Sequence, residues 1–72
     1  MKASQIIAAD DYASFPAIAE AMGAIERAGS REALGAARDA LRKAELQRDI
    51  ALGFTDLWGG YERELAAAFG LI

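Results

Sequence analysis

The sequence predicts an all-α protein. It reads as a helical hairpin, with a shorter helix over about residues 16–28 and a long helix over about residues 31–69. Three observations carry this. Alanine, the best helix former, supplies 18 of the 72 residues. Valine is absent, and the β-branched residues are six Ile and one Thr, which argues against a sheet. Apolar residues recur at three- and four-residue spacing, the repeat of one helix face.

The shorter helix begins at Pro16. Proline suits a first helical turn, and the residue before it, Phe15, is biased away from α. Phe15, Ile18, Met22 and Ile25 share one face, with Glu20, Gly23 and Arg27 opposite. "RAGSRE" then reads as stop, turn and start. Gly29 suits a helix end and Ser30 suits an N-cap. So short a joint sets the two helices antiparallel or at a sharp angle. Residues 1–13 form a short helix capped by Ser4 or an extended arm.

From Arg31 to Leu52 there is one Gly and no Pro. Asp39–Lys43, Arg42–Glu45 and Glu45–Arg48 have helix-stabilising ion-pair spacing. The apolar stripe turns along this helix. Its first half runs through Ala33, Leu34, Ala37, Ala40, Leu41 and Ala44; its second through Leu46, Ile50, Phe54, Leu57, Tyr61, Leu65 and Phe69. A helix with two differently aimed faces needs two packing partners. The first helix covers one. The other is met by the N-terminal segment, by a folded-back C-terminus, or by a second chain.

The pair Gly59–Gly60 raises the question of continuity. Phe54, Trp58, Tyr61, Leu65 and Phe69 keep helical phase across it, so the preferred reading runs the helix through, with a kink allowed at the glycines. The alternative stops the helix at Gly60 and starts a short one from Tyr61, or restarts at a Thr55 cap. Gly70 ends the last helix.

The chain is one small domain. A core of this size supplies only about 3–5 kcal/mol, so small chains lean on disulfides, metals or oligomerisation. Cysteine and histidine are both absent. That excludes disulfides and thiolate sites and removes the commonest metal ligand and general base. Oligomerisation is left, and a homodimer forming a helical bundle is the expectation. Leu46, Ile50, Leu57, Phe69, Ile18, Met22, Ile25, Leu34 and Leu41 are the expected core or dimer core.

No catalytic constellation is evident. Each Ser reads better as a cap than as a nucleophile, no phosphate loop is present, and Glu45–Asp49 lies among arginines. No catalytic residue, metal or cofactor is assigned. No segment has the length and apolarity of a membrane span, and the start is too weak for a secretory signal, so a cytoplasmic protein is expected. The Arg-over-Lys and Ala-rich composition suggests a bacterial or phage genome.

The informative feature is the aromatic stripe. Its plain reading is core. Its functional reading is a recognition surface of Trp58, Tyr61, Phe54 and Leu65, since Trp and Tyr are enriched at binding hot spots. The expected function is therefore non-catalytic protein–protein interaction: a small adaptor, inhibitor or regulator that acts as a homodimer and covers a surface of a larger protein. The first alternative is a helix-turn-helix-like DNA-binding regulator, with Arg31, Arg38 and Arg42 on or near the recognition helix. The net charge of -3 and the length of the second helix weigh against it. The second alternative is a structural subunit of a larger complex.

Overall fold

The computed structural model describes residues 15–72. The expected N-terminal helix or arm lies outside the described residues. Within them the chain is all-helical: α1 spans Pro16–Arg27, α2 spans Arg31–Leu52 and α3 spans Gly60–Ala68, with a single 3₁₀ turn at Thr55–Leu57 between the last two. None of these helices is long and apolar enough to cross a membrane.

The first joint forms as its residues dictate. Phe15 is extended and Pro16 takes the first helical position, where its missing N–H leaves no bond unmade. Ser30 is extended and its hydroxyl accepts the N–H of Ala33 at 3.1 Å. That satisfies one of the four N–H groups a helix start leaves open. The turn folds α1 back antiparallel on α2. Ala17 lies beside Ala44 and Gln47 at one end, and Ala28 beside Ala33 and Ala37 at the other.

The hairpin interface is made of small side chains. Ile18, Ala21, Ala37 and Ala44 are buried. Ile25, Leu34 and Leu41 are half-buried around them. Met22, expected in the core or a dimer core, is exposed in the single chain. Helix axes approach closely only where the facing side chains are small. The helix therefore turns Ala21 toward α2, and Met22 moves to the rim.

The long helix does not reach residue 69. It ends at Leu52, because Gly53 adopts φ 75° and ψ 28°. The Gly53 N–H donates to Ile50 O at 3.2 Å and the Phe54 N–H to Asp49 O at 2.8 Å. This is the Schellman closure, in which a left-handed residue bonds the last free carbonyls of a helix. The left-handed region is open to glycine and costs other residues about 1–2 kcal/mol. The same closure recurs at the end of α3. Gly70 has φ 75°, and Leu71 N–H donates to Ala66 O at 2.8 Å.

No helix therefore runs through Gly59 and Gly60. Gly59 is the N-cap of α3 and Gly60 its first residue. The Gly59 N–H donates to the Glu62 carboxylate at 2.9 Å. This is half of a capping box; glycine has no side chain to return the second bond.

The break sends the chain back along α2. The second apolar face of α2 is covered by the folded-back C-terminus. Leu46, Trp58 and Ala66 form a buried cluster, with Leu65, Phe69 and Leu71 packed against it. One helix thus serves two layers, α1 on its first face and the connector with α3 on its second. Ile50 and Leu57, expected in the core or a dimer core, are exposed and take no part in the core of the single chain.

Candidate interaction surface

The fold separates the four residues of the expected recognition surface. Trp58 goes inside, at 8% exposure. It follows the 3₁₀ turn in extended conformation, φ −71° and ψ 141°, which swings its ring onto Leu46 and Ala66. Its indole Nε1 donates to Asp49 Oδ2 at 2.9 Å. The edge position that a continuous helix gives Trp58 does not exist once the helix ends at Leu52. Leu65 and Phe54 are half-buried, Leu65 against the same cluster. Tyr61, in the first turn of α3, stands in solvent at 63% exposure.

Tyr61 and Leu65 form one wall of a groove of about 210 Å³ between α3 and α2. Leu46 lines it, and Arg42, Glu45, Asp49 and Glu62 rim it. Its walls are mainly apolar and its edge carries one positive and three negative side chains. Such a groove suits an apolar side chain with a cationic neighbour. Its charged groups belong to the exterior, except where the fold already uses them: Glu62 holds the Gly59 N–H, and Asp49 holds Trp58.

Two further open grooves, of about 330 and 470 Å³, run between α1 and α2 and are walled chiefly by alanine. They offer shape but little polar chemistry to fix a small ligand.

Arg48 is the unexpected member of the middle layer. It lies on the first face of α2, in line with Ala37, Leu41 and Ala44, and is buried to 4% exposure. Its Nη1 lies 3.9 Å from Asp49 Oδ1. Its Nη2 is buried with no hydrogen-bond partner among the described residues. The spacing of Glu45 and Arg48 pointed to a solvent-facing ion pair. Arg48 instead turns inward, and among the described residues Arg48–Asp49 is the ion pair within bonding range. The Asp39–Lys43 and Arg42–Glu45 pairs do not close either. Asp39, Arg42 and Lys43 are exposed and Glu45 half-exposed. Exposed charges at such spacing gain little by closing.

Arg31, Arg38 and Arg42 are all exposed and share one face of α2. Among the described residues no group of three or more acidic side chains is placed to hold a metal ion. No protein-family model, curated protein or solved structure matches the chain. The surface must be read from its own chemistry.

Proposed function

We propose that the protein is a non-catalytic interaction protein, a small adaptor, inhibitor or regulator that covers a surface of a larger protein and also pairs with a second copy of itself. One observation carries the reading. Tyr61 is held at 63% exposure on the wall of the apolar groove between α2 and α3, while the other large aromatic of the same stretch, Trp58, is committed to the interior. A tyrosine at the rim of an apolar groove has the half-wet character of a hot-spot anchor. Ile50, Leu52 and Leu57 add exposed apolar surface on the end of α2 and the 3₁₀ turn. The self-pairing rests on those same side chains, since a chain this small gains most from burying them.

A DNA-binding regulator is the second reading, and the exposed row of Arg31, Arg38 and Arg42 is what favours it. The net charge of -3 makes the row a local feature of an acidic chain, and phosphate binding draws on a broad basic footprint.

The deciding experiment is affinity capture from the organism that encodes the chain, with wild type and Tyr61→Ala side by side. A protein retained by wild type and lost with Tyr61→Ala, at unchanged helicity and Tm, supports the reading. Equal recovery by both removes the groove from it. Nuclease-sensitive recovery of DNA that Arg38→Ala abolishes favours the second reading.

A further inference from the structure

We infer that a second copy of this chain docks on the surface of Ile50, Leu57 and Tyr61 by exchanging α3, with α2 and α3 of each copy merging into one continuous helix. This rests on the self-pairing part of the proposed function and supplies its mechanism.

The first observation is a periodicity that the single-chain fold does not use. Leu46, Ile50, Phe54, Leu57, Tyr61, Leu65 and Phe69 are spaced by three or four residues throughout. The spacing runs unbroken across residues 53–59. Yet those residues form a left-handed turn, a 3₁₀ turn and an extended stretch, in which α-helical phase has no meaning. A stripe that keeps helical phase through a non-helical connector fits a second state in which the connector is helix.

The second observation is which members of the stripe remain open. Ile50, Leu57 and Tyr61, from three different elements, are all exposed in the single chain. In a continuous helix they fall on one face, next to Leu46 and Leu65. Two such helices side by side bury all three.

The third is the hinge. What ends α2 is the backbone at Gly53, not lack of room. A Cβ built there meets nothing within 4 Å, while its φ of 75° is one that L side chains rarely adopt. Four further bonds hold the closed state: Leu57 N–H to Phe54 O, Trp58 N–H to Thr55 O, the indole of Trp58 to Asp49, and Arg63 to Thr55 O. A helical connector replaces the two backbone turns with ordinary helix bonds.

The geometry makes the exchange obligatory once the helix is continuous. Leu46 and Leu65, which share one apolar cluster in the closed chain, are then about 29 Å apart along one helix, at 1.5 Å per residue. The face of Leu46 is left bare and is covered by Leu65 of the other copy, which lies on the same stripe. Exchange of an identical element between two copies is a recognised low-cost route to a dimer.

The test combines light scattering with isotope-filtered NMR. Wild type and Gly53→Ala are measured from micromolar to millimolar concentration. A dimer made by unfolding and refolding labelled with unlabelled chain is then examined for contacts between Leu46 and Leu65. The expected result is a dimer in which these contacts run between chains. Gly53→Ala tightens it by about tenfold or more, because the left-handed hinge is disfavoured in the closed state of both copies. A wild type and a variant that are both monomeric at millimolar concentration overturn the inference, and the self-pairing with it, while binding of a larger partner stands. A dimer whose Leu46–Leu65 contacts lie only within each chain overturns the exchange but leaves self-pairing intact. Should Gly53→Ala fail to fold, the labelled wild-type dimer alone decides between exchange and its absence.

Discussion

The indole of Trp58 donates to the carboxylate of Asp49 at 2.9 Å, and the other oxygen of that carboxylate faces Arg48 at 3.9 Å. A single acidic side chain on α2 thus holds the indole of the C-terminal layer and faces its own chain neighbour on the same helix. Helix α3 has nine residues, too few to hold helical structure alone in water. Its place depends on what Trp58 and Leu46 bury.

Trp58→Ala is therefore expected to remove the C-terminal layer. Truncating a buried tryptophan costs about 3–5 kcal/mol, comparable to the whole stability of so small a core. Trp58→Phe keeps most of the ring contact and loses the hydrogen bond to a charged acceptor, for about 1.5–3 kcal/mol. Urea denaturation of both variants, with helicity read by circular dichroism, checks the order. A Trp58→Ala variant as stable as wild type contradicts the buried placement.

Arg48 gives an expectation of the opposite sign. Its charge is buried, and among the described residues its one ion pair is long and Nη2 is unpaired. Replacing a poorly paired buried charge by an apolar side chain of similar length is often stabilising, by about 1–4 kcal/mol. Asp49 keeps its bond to Trp58 and is 27% exposed, so it is not stranded in the interior. Arg48→Met should raise Tm. Arg48→Ala should fall clearly below Arg48→Met, because the stem of Arg48 fills space beside the hairpin. Thermal melts of the two variants separate charge from packing. A lower Tm for Arg48→Met than for wild type means that Arg48 has a partner worth keeping.

How much of this was legible in the sequence depends on the range of each interaction. The start of α1 at Pro16, the Ser30 cap and the Gly70 stop are local, and each is set by the residue that makes it. The two-faced stripe on α2 was also legible, and the folded-back C-terminus is one of the covers it allowed. The preferred continuous helix fails, and the break that the alternative allowed at Gly60 or Thr55 falls instead at Gly53. Gly53 carried the decisive signal: a lone glycine just past a helix, followed by apolar Phe54, is the Schellman pattern. The phase of the aromatics spoke for continuity, and backbone geometry at one residue overrode it. Two features had no local signal. The Trp58–Asp49 bond spans nine residues through a reversal of the chain. The inward turn of Arg48 depends on which face α1 covers. Met22 yielded its place to Ala21 for the same reason, since closeness of two helices is a property of the pair.

Tyr61 tests surface against core. At 63% exposure its ring contributes little to folding, so Tyr61→Ala should change stability by no more than about 0.5 kcal/mol. Ile50→Glu replaces an exposed apolar side chain by a charge and should likewise leave the helices formed. Both should weaken association, with a second copy or with a larger partner. Chemical denaturation and light scattering on the same samples decide between the roles. Loss of helicity in either variant places that residue in the core.

The two glycines of "LWGGYE" should respond differently, because one caps α3 and the other begins it. Gly60 is the first helical residue, and a Cβ built there meets nothing within 4 Å. Gly60→Ala should stabilise the chain by about 0.4–1 kcal/mol, chiefly by narrowing the unfolded ensemble. Gly59 sits at φ −88° and ψ −173°, extended backbone that any residue adopts. Alanine is a poor N-cap and glycine a fair one, so Gly59→Ala gains little or loses. Serine differs. Its hydroxyl supplies the missing half of the capping box, accepting the N–H of Glu62 while Glu62 keeps the N–H of residue 59. A Cβ at this position lies 3.1 Å from Glu62 Oε2, the end of a flexible side chain that shifts by a few tenths of an ångström. The expected order of Tm is Gly59→Ser above wild type, with Gly59→Ala at or below wild type. A helix running through residues 59 and 60 predicts another order, because mid-helix alanine exceeds both glycine and serine. Gly59→Ala above Gly59→Ser therefore refutes the break in solution, and the reverse order confirms that α3 starts at Gly60.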